Sequence, residues 1–209
     1  QGNFVLHNTR YKVTGATLYV VGTPIGNLGD ISIRAIDILK GVDIIAAEDT
    51  RVSRKLLESV GIAKKIISHH LHNEDQSADG ILLLLRQGKS VALISDSGTP
   101  GISDPGCLLV SRAHQENINV VTIPGASALT AALSISGISA KMMTFHGFLP
   151  SKGRARKDTL SLSSKMYGLQ VFFEAPHRLK GTVRDLERVF GFDRPISVSK
   201  ELTKLYEFT

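Results

Sequence analysis

The chain has 209 residues, of which 42% are hydrophobic, 21% charged and 6% aromatic, with no Trp; this excludes wholesale disorder and allows one large core or two small ones. Its one cysteine, Cys107, excludes an intrachain disulfide framework and a cysteine-based zinc site and points to a reducing, cytoplasmic setting; the longest aliphatic run, Ile81 to Leu85, is far too short for a membrane span. The net charge of +6 is uneven: residues 1–140 carry 12 basic and 12 acidic groups and residues 141–209 carry 13 and 7, so an anionic partner such as nucleic acid is expected on the last third, against the plainer reading of a solvated basic surface.

Residues 1–16 are polar and aperiodic, with Gln1-Gly2 fitting a cleavage scar, and no signal-peptide pattern is expected in them. From Thr17 the chain alternates β-branched runs with helical patterns. Strands are expected at Thr17–Val21, Val42–Ala47, Lys65–His69, Val91–Ser95 and Val120–Ile123. Between and after them, helices are expected from Ser32, a suitable N-cap, to Gly41, at Thr50–Val60, at Gln76–Gln87, at Asp104–Glu116 with Pro105 in the first turn, and at Ala126–Ser136. Five strands separated by helices imply a parallel α/β sheet over 17–140. A second unit over 141–209 starts with a strand at Met142–His146, followed by a basic loop and a helix. A strand at Leu169–Phe173, a helix at Pro176–Val189 and a strand at Ile196–Ser199 complete it, and it is short for a closed domain.

The loops after the strands carry the chemistry. Gly22-Thr23-Pro24-Ile25-Gly26 is neither a dinucleotide fingerprint, since Pro24 stands where the second glycine belongs, nor a P-loop; alone it reads as a tight turn. Ser95 to Gly106 is long, with three glycines, two prolines and two aspartates, and a ligand is favoured there over a plain connection. Pro124-Gly125-Ala126-Ser127 leaves room for a flat ligand or for close helix packing. Glu48 and Arg51 flank Asp49, which can equally cap the following helix. His72-Asn73-Glu74 lacks the spacing of a metal site, and no metal is expected. Lys152, Arg154, Arg156 and Lys157 suit phosphate contacts or a solvated loop. After Phe172-Phe173-Glu174-Ala175, His177 and Arg178 are candidates to meet a nucleotide.

Taken in order, Val21–Leu28, Ala47–Arg51, His72–Glu74, Ser95–Pro100, Pro124-Gly125, Gly147–Pro150, Glu174–Arg178 and Glu201–Lys204 resemble the ribosomal RNA small-subunit methyltransferase I family of the tetrapyrrole methylase superfamily. The resemblance covers about residues 17–205. It implies two α/β domains with parallel or mixed sheets, the cofactor S-adenosylmethionine in the cleft between them, a homodimer, and 2′-O-methylation of a decoding-region cytidine of 16S rRNA, with the assembled small subunit favoured as substrate. It also implies a longer chain than this one. The cofactor contacts it implies fall on Pro24, on Asp96, Ser97, Gly98, Ile102 and Ser103, on Pro124, Ala126 and Ser127, and on Phe173, Glu174 and Ala175. A base for the ribose proton is sought among Glu48, Glu74 and Glu201, with Glu48 ranked first beside Arg51. Two rivals stand: a methyltransferase of the same fold acting on a small tetrapyrrole, and a non-catalytic RNA-binding module. The basic second unit argues against the first, and the elaborate 95–106 loop against the second.

Overall fold

A computed structural model describes residues 11–209; the start of the expected N-terminal tail, with Gln1-Gly2, lies outside the described residues. The chain divides into two compact units, one ending at Ala128 and the other running from Leu129 to Thr209. The division falls at the start of a helix, earlier than the boundary expected near residue 140.

In the first unit, strands β1 (Thr17–Val21), β2 (Ile44–Ala47), β3 (Ile66–Ser68), β4 (Val91–Ile94) and β5 (Asn119–Ile123) form one sheet in the order β3-β2-β4-β1-β5. Every pairing is parallel. The intervening helices are α1 (Ile33–Gly41), α2 (Thr50–Ser59), α3 (Glu74–Arg86) and α4 (Cys107–Gln115). Alternate strand residues bury on opposite faces. Tyr19, Val21, Ile45, Ala47, Ala92 and Ile94 pack with Ala35, Ile38 and Leu39 of α1 and Leu57 of α2. Leu18, Ala46, Val91 and Leu93 pack with Ile81, Leu82 and Leu85 of α3 and Leu109 and Ala113 of α4. A strand covered on both faces has no polar side, which is why β2 and β4 read as unbroken apolar runs.

This topology positions the loops. Of the neighbours β2 and β4, the chain leaves β2 toward β3 on one side and leaves β4 toward β5 on the other, and α2 and α4 lie on opposite faces. Adjacent strands whose connections diverge leave a crevice at their carboxyl ends, where open α/β sheets bind ligands.

Helix starts follow local capping. Ser32 Oγ accepts from Ala35 N at 3.0 Å, as expected for an N-cap. Helix α4 starts at Cys107 and not at Asp104, because Ser103 at φ 64° and Gly106 at φ 128° take left-handed backbone that a right-handed helix excludes. Asp104 and Pro105 therefore belong to the loop.

The second unit contains most of α5 (Ala128–Ile135), then β6 (Met143–Phe148), α6 (Gly153–Lys165), β7 (Leu169–Phe173) and α7 (Leu179–Phe190). Strands β6 and β7 form a parallel pair with a register shift between Phe145 and Phe148. Two sequence expectations are corrected here. The basic segment expected as a loop is largely the first turns of α6. The strand expected at Ile196–Ser199 is absent: among the described residues it finds no ladder partner, and only an isolated bridge joins Lys200 to Phe208.

Candidate functional site

The loops after β4, β1 and β5, neighbours in the sheet, are tied to one another. Gly22 N donates to Ile123 O at 3.0 Å, and Thr23 N to Gly98 O at 2.8 Å. The buried Thr23 hydroxyl lies 3.2 Å from both Ser95 O and Gly98 O. Thr99 Oγ1 donates to Ala126 O at 3.2 Å. Gly98, at φ 89°, makes the bend that brings its carbonyl to Thr23. Gly22 and Gly125 touch backbone to backbone: a Cβ on Gly22 would lie 2.7 Å from Gly125 Cα. Gly22, Gly98 and Gly125, on three separate loops, thus share one cause, the close approach of those loops.

Of the residues expected to hold a cofactor, Pro24, Asp96, Ser97, Gly98, Ile102, Ser103, Pro124, Ala126 and Ser127 all lie on these three loops of the first unit. Ser97, Ile102, Ser103 and Pro124 are exposed and line the rim, whereas Gly98 is buried. Phe173, Glu174 and Ala175 belong to the second unit.

Three carboxylates converge beside the loops. Asp96 leaves the end of β4 and its Oδ1 accepts from Asp49 N at 2.9 Å, joining it to the end of β2. Glu48 lies at that same strand end, half-buried. Burial raises the Glu48 pKa first, and the negative charges of Asp96 and Asp104 raise it further. Asp104 is raised for the same reasons, burial before the Asp96 charge. Sequence reading missed Asp104 in this role, having placed it in a helix; its place in the 95–106 loop was the available signal.

Arg51 is not the partner of Glu48. Its guanidinium forks onto Asp49, with Nη2 to Oδ2 at 2.7 Å and Nε to Oδ1 at 3.1 Å, and stays exposed. Asp49 also accepts from Arg51 N at 2.8 Å as the N-cap of α2. These bonds hold the Asp49 carboxyl well below the usual carboxylate range, and the plain capping reading of Asp49 is the one observed.

Glu74 opens α3 after a 3₁₀ turn at Leu71–Asn73. Its Oε1 accepts from Gly106 N at 3.0 Å, so it is engaged with the far end of the 95–106 loop. Glu201 was expected at a strand end. It is instead exposed in a turn of the second unit, at φ 52°, because no strand forms before it.

In the second unit, Glu174 is an internal hub whose side chain is only 7% exposed. Arg178 Nη2 lies 2.7 Å and Arg156 Nη1 3.8 Å from its carboxylate. The Thr182 hydroxyl and Ala175 N also donate to it. Arg156 further donates to Pro150 O at 3.1 Å, Thr182 Oγ1 at 2.8 Å and Asp185 Oδ2 at 2.9 Å. Arg178 Nη1 reaches Leu149 O at 3.3 Å. Arg156 and Arg178, expected to meet RNA, are thus committed to joining the loops after β6 and β7 to α6 and α7. Lys152, Arg154, Lys157 and His177 are exposed, with Arg154 loosely paired to Asp158 at 3.5 Å. Phe173 packs edge-on against Phe145 at 4.8 Å and Phe148 at 5.5 Å.

Comparison with known proteins gives this arrangement a lineage. The family described as Tetrapyrrole (Corrin/Porphyrin) Methylases matches residues 17–209. A Xylella fastidiosa protein named Ribosomal RNA small subunit methyltransferase I is 49% identical over 93% of this chain and 71% of its own length. Its namesakes in Vibrio cholerae and Synechocystis are each 47% identical over 91% of this chain, covering 66% and 68% of their lengths; the chain thus spans about two thirds of these relatives. Among solved structures, a cobalt precorrin-4 methyltransferase of cobalamin biosynthesis superposes with a TM-score of 0.64 at 16% identity, over 92% of this chain and 83% of that one. Uroporphyrin-III-C-methyltransferase from Thermus thermophilus gives 0.60 at 16%, over 84% and 74%. These two share the fold, and by the family match and the sequence identity to the named relatives the chain belongs to the ribosomal RNA small subunit methyltransferase I family of the tetrapyrrole methylases.

Proposed function

We propose that this chain transfers the methyl group of S-adenosylmethionine to the 2′-hydroxyl of a decoding-region cytidine of 16S rRNA, within the small ribosomal subunit. The observation that carries the reading is the convergence of Glu48, Asp96 and Asp104 beside three interlocked loops at the carboxyl ends of β4, β1 and β5.

The residues present fit the cofactor. Glu48 and Asp104, both raised by burial and by the neighbouring Asp96 charge, mark a region of negative potential, which suits a ligand whose sulfonium and ammonium outweigh its one carboxylate. The exposed rim at Ser97, Ile102, Ser103 and Pro124 offers backbone and hydroxyl groups to an adenosine moiety. Bound there, the sulfonium supplies an activated methyl group, so the main demand on the protein is alignment of the acceptor, which can contribute roughly 7–11 kcal/mol in the best cases.

Glu48 takes the ribose proton as the oxygen–methyl bond forms and the methyl–sulfur bond breaks. A carboxylate with a raised pKa is a better base than an ordinary one, and general-base help of this kind contributes about 10²–10⁴-fold. Of the basic residues expected to meet RNA, Lys152, Arg154, Lys157 and His177 remain exposed to phosphates, Arg154 only loosely paired with Asp158. The homodimer and the cytoplasmic location rest on family membership; among the described residues no helix is long and apolar enough to cross a membrane.

The test offers methyl-labelled cofactor to the protein with either small subunits lacking the modification or a uroporphyrinogen-type tetrapyrrole. Label in RNA supports the reading. Label in the tetrapyrrole, or in neither acceptor, refutes it in favour of the small-molecule or the non-catalytic alternative.

A further inference from the structure

Behind the 95–106 loop lies a buried histidine that the proposed chemistry does not use. The His69 side chain is fully buried, just past β3, with its backbone N–H donating to Ala47 O at 2.8 Å. Its Nδ1 lies 2.7 Å from Ser77 Oγ on α3. Where the Ser77 hydroxyl donates to Nδ1, and not to Glu74 O at 3.3 Å or Asn73 Oδ1 at 3.5 Å, the ring proton sits on Nε2. That nitrogen has no hydrogen-bond partner among the described residues and faces Glu74 Oε1 at 3.9 Å. The distance is too long for a hydrogen bond, but the ring nitrogen and the carboxylate face each other with both side chains largely buried, where such a contact is weakly screened. The same oxygen accepts from Gly106 N at 3.0 Å.

Gly106 is a demanding position. It stands at φ 128°, and a Cβ there would lie 2.8 Å from Leu93 Cδ2. The backbone at the end of the loop is thus pressed onto β4 in a conformation that only glycine adopts easily, and the Glu74 carboxylate holds its N–H there.

We propose that His69 and Glu74 form a buried latch, in which Glu74, oriented by His69, fixes the end of the 95–106 loop through the Gly106 N–H and so acts as a positioning residue for the cofactor loop and not as the base. This rests on the reading that the loop holds S-adenosylmethionine. With that oxygen engaged at the Gly106 N–H, the proton-accepting role is left to Glu48.

The test measures S-adenosylhomocysteine affinity by calorimetry for Glu74→Ala, Glu74→Gln and Asp96→Ala, with hydrogen exchange at the Gly106 amide and turnover on small subunits. Glu74→Ala removes a charge-assisted bond and is expected to weaken binding roughly tenfold or more, with loss of Gly106 protection. Glu74→Gln retains an acceptor oxygen and restores binding, protection and turnover. If Glu74→Gln abolishes turnover while binding is intact, Glu74 is the base and the latch is wrong. If Glu74→Ala binds like the parent while Asp96→Ala binds weakly, the loop needs no latch. If neither variant affects binding, the loop assignment itself fails and takes the latch with it. Should Glu74→Ala not fold, Gly106 exchange in Glu74→Gln carries the test: protection retained supports the latch, protection lost overturns it.

Discussion

Gly22→Ala adds one methyl group at the junction of the β1 and β5 loops, and its cost can be worked from the distances there. The new Cβ would sit 2.7 Å from Gly125 Cα, 2.8 Å from its N and 3.3 Å from its carbonyl carbon. Carbon–carbon contacts settle near 3.5–4.0 Å, so the two loops must part by about 1 Å. Nothing flexible can absorb this, because both sides of the contact are backbone. The Gly22 N to Ile123 O bond, now 3.0 Å, would then exceed hydrogen-bond length. Overpacking costs about 1–3 kcal/mol and a broken hydrogen bond about 1 kcal/mol, so a destabilisation of roughly 2–4 kcal/mol follows. The control is Gly80→Ala on the exposed face of α3, where a Cβ meets nothing within 4 Å; it should stabilise by about 0.5–1 kcal/mol through helix propensity. Denaturant unfolding reads both, and calorimetry with S-adenosylhomocysteine reads the loops. Parental stability and affinity in Gly22→Ala would show that the three loops are not interlocked as described.

Glu48→Gln should lower turnover by about 10²–10⁴-fold, with S-adenosylhomocysteine affinity near the parent value; the acid limb of the kcat/KM profile, which rises as pH passes the raised Glu48 pKa, should vanish, and a parental profile would exclude Glu48 as base. Neutralising Lys152, Arg154 and Lys157 together should flatten the salt dependence of subunit binding by about 0.7–0.9 in logarithmic slope for each phosphate that is no longer neutralised. Arg156→Ala should instead remove the bonds to Asp185, Pro150 O and Thr182 while Glu174 keeps Arg178, lowering stability by about 1–3 kcal/mol; unfolding curves and binding titrations separate the two effects. Burial depresses the His69 pKa, so the folded state disfavours the charged ring that the unfolded chain accepts. The stabilisation is complete above the unfolded value of about 6.5 and is lost as pH falls below it, with a limiting slope of about 1.4 kcal/mol per pH unit for one proton. His69→Asn should remove that component from the pH dependence of unfolding.

The five-stranded sheet was legible because its strands, buried on two faces, read as short apolar runs between capped helices; Ser32 and Asp49 mark helix starts by the bonds their own side chains make. The 95–106 loop was legible from composition alone. What was hidden depends on partners distant in sequence. Arg156 looks like its neighbours Arg154 and Lys157, and only Glu174, Thr182 and Asp185, brought beside it by β7 and α7, turn it inward. Asp104 was misplaced because Pro105 suits a first helical turn, and the left-handed backbone at Ser103 and Gly106 leaves no trace in a propensity reading. Ile196–Ser199 has the residues of a strand, but a strand forms only against a partner.

The central claim is transfer to a ribose 2′-oxygen, and alkaline hydrolysis of the labelled RNA tests it most directly. Cleavage by alkali requires a free 2′-hydroxyl, so a 2′-O-methylated cytidine survives joined to its 3′ neighbour. After reaction of this protein with small subunits and methyl-labelled S-adenosylmethionine, the account predicts the label in one alkali-stable dinucleotide that begins with cytidine. Label released in mononucleotides would place the methyl group on a base and contradict it.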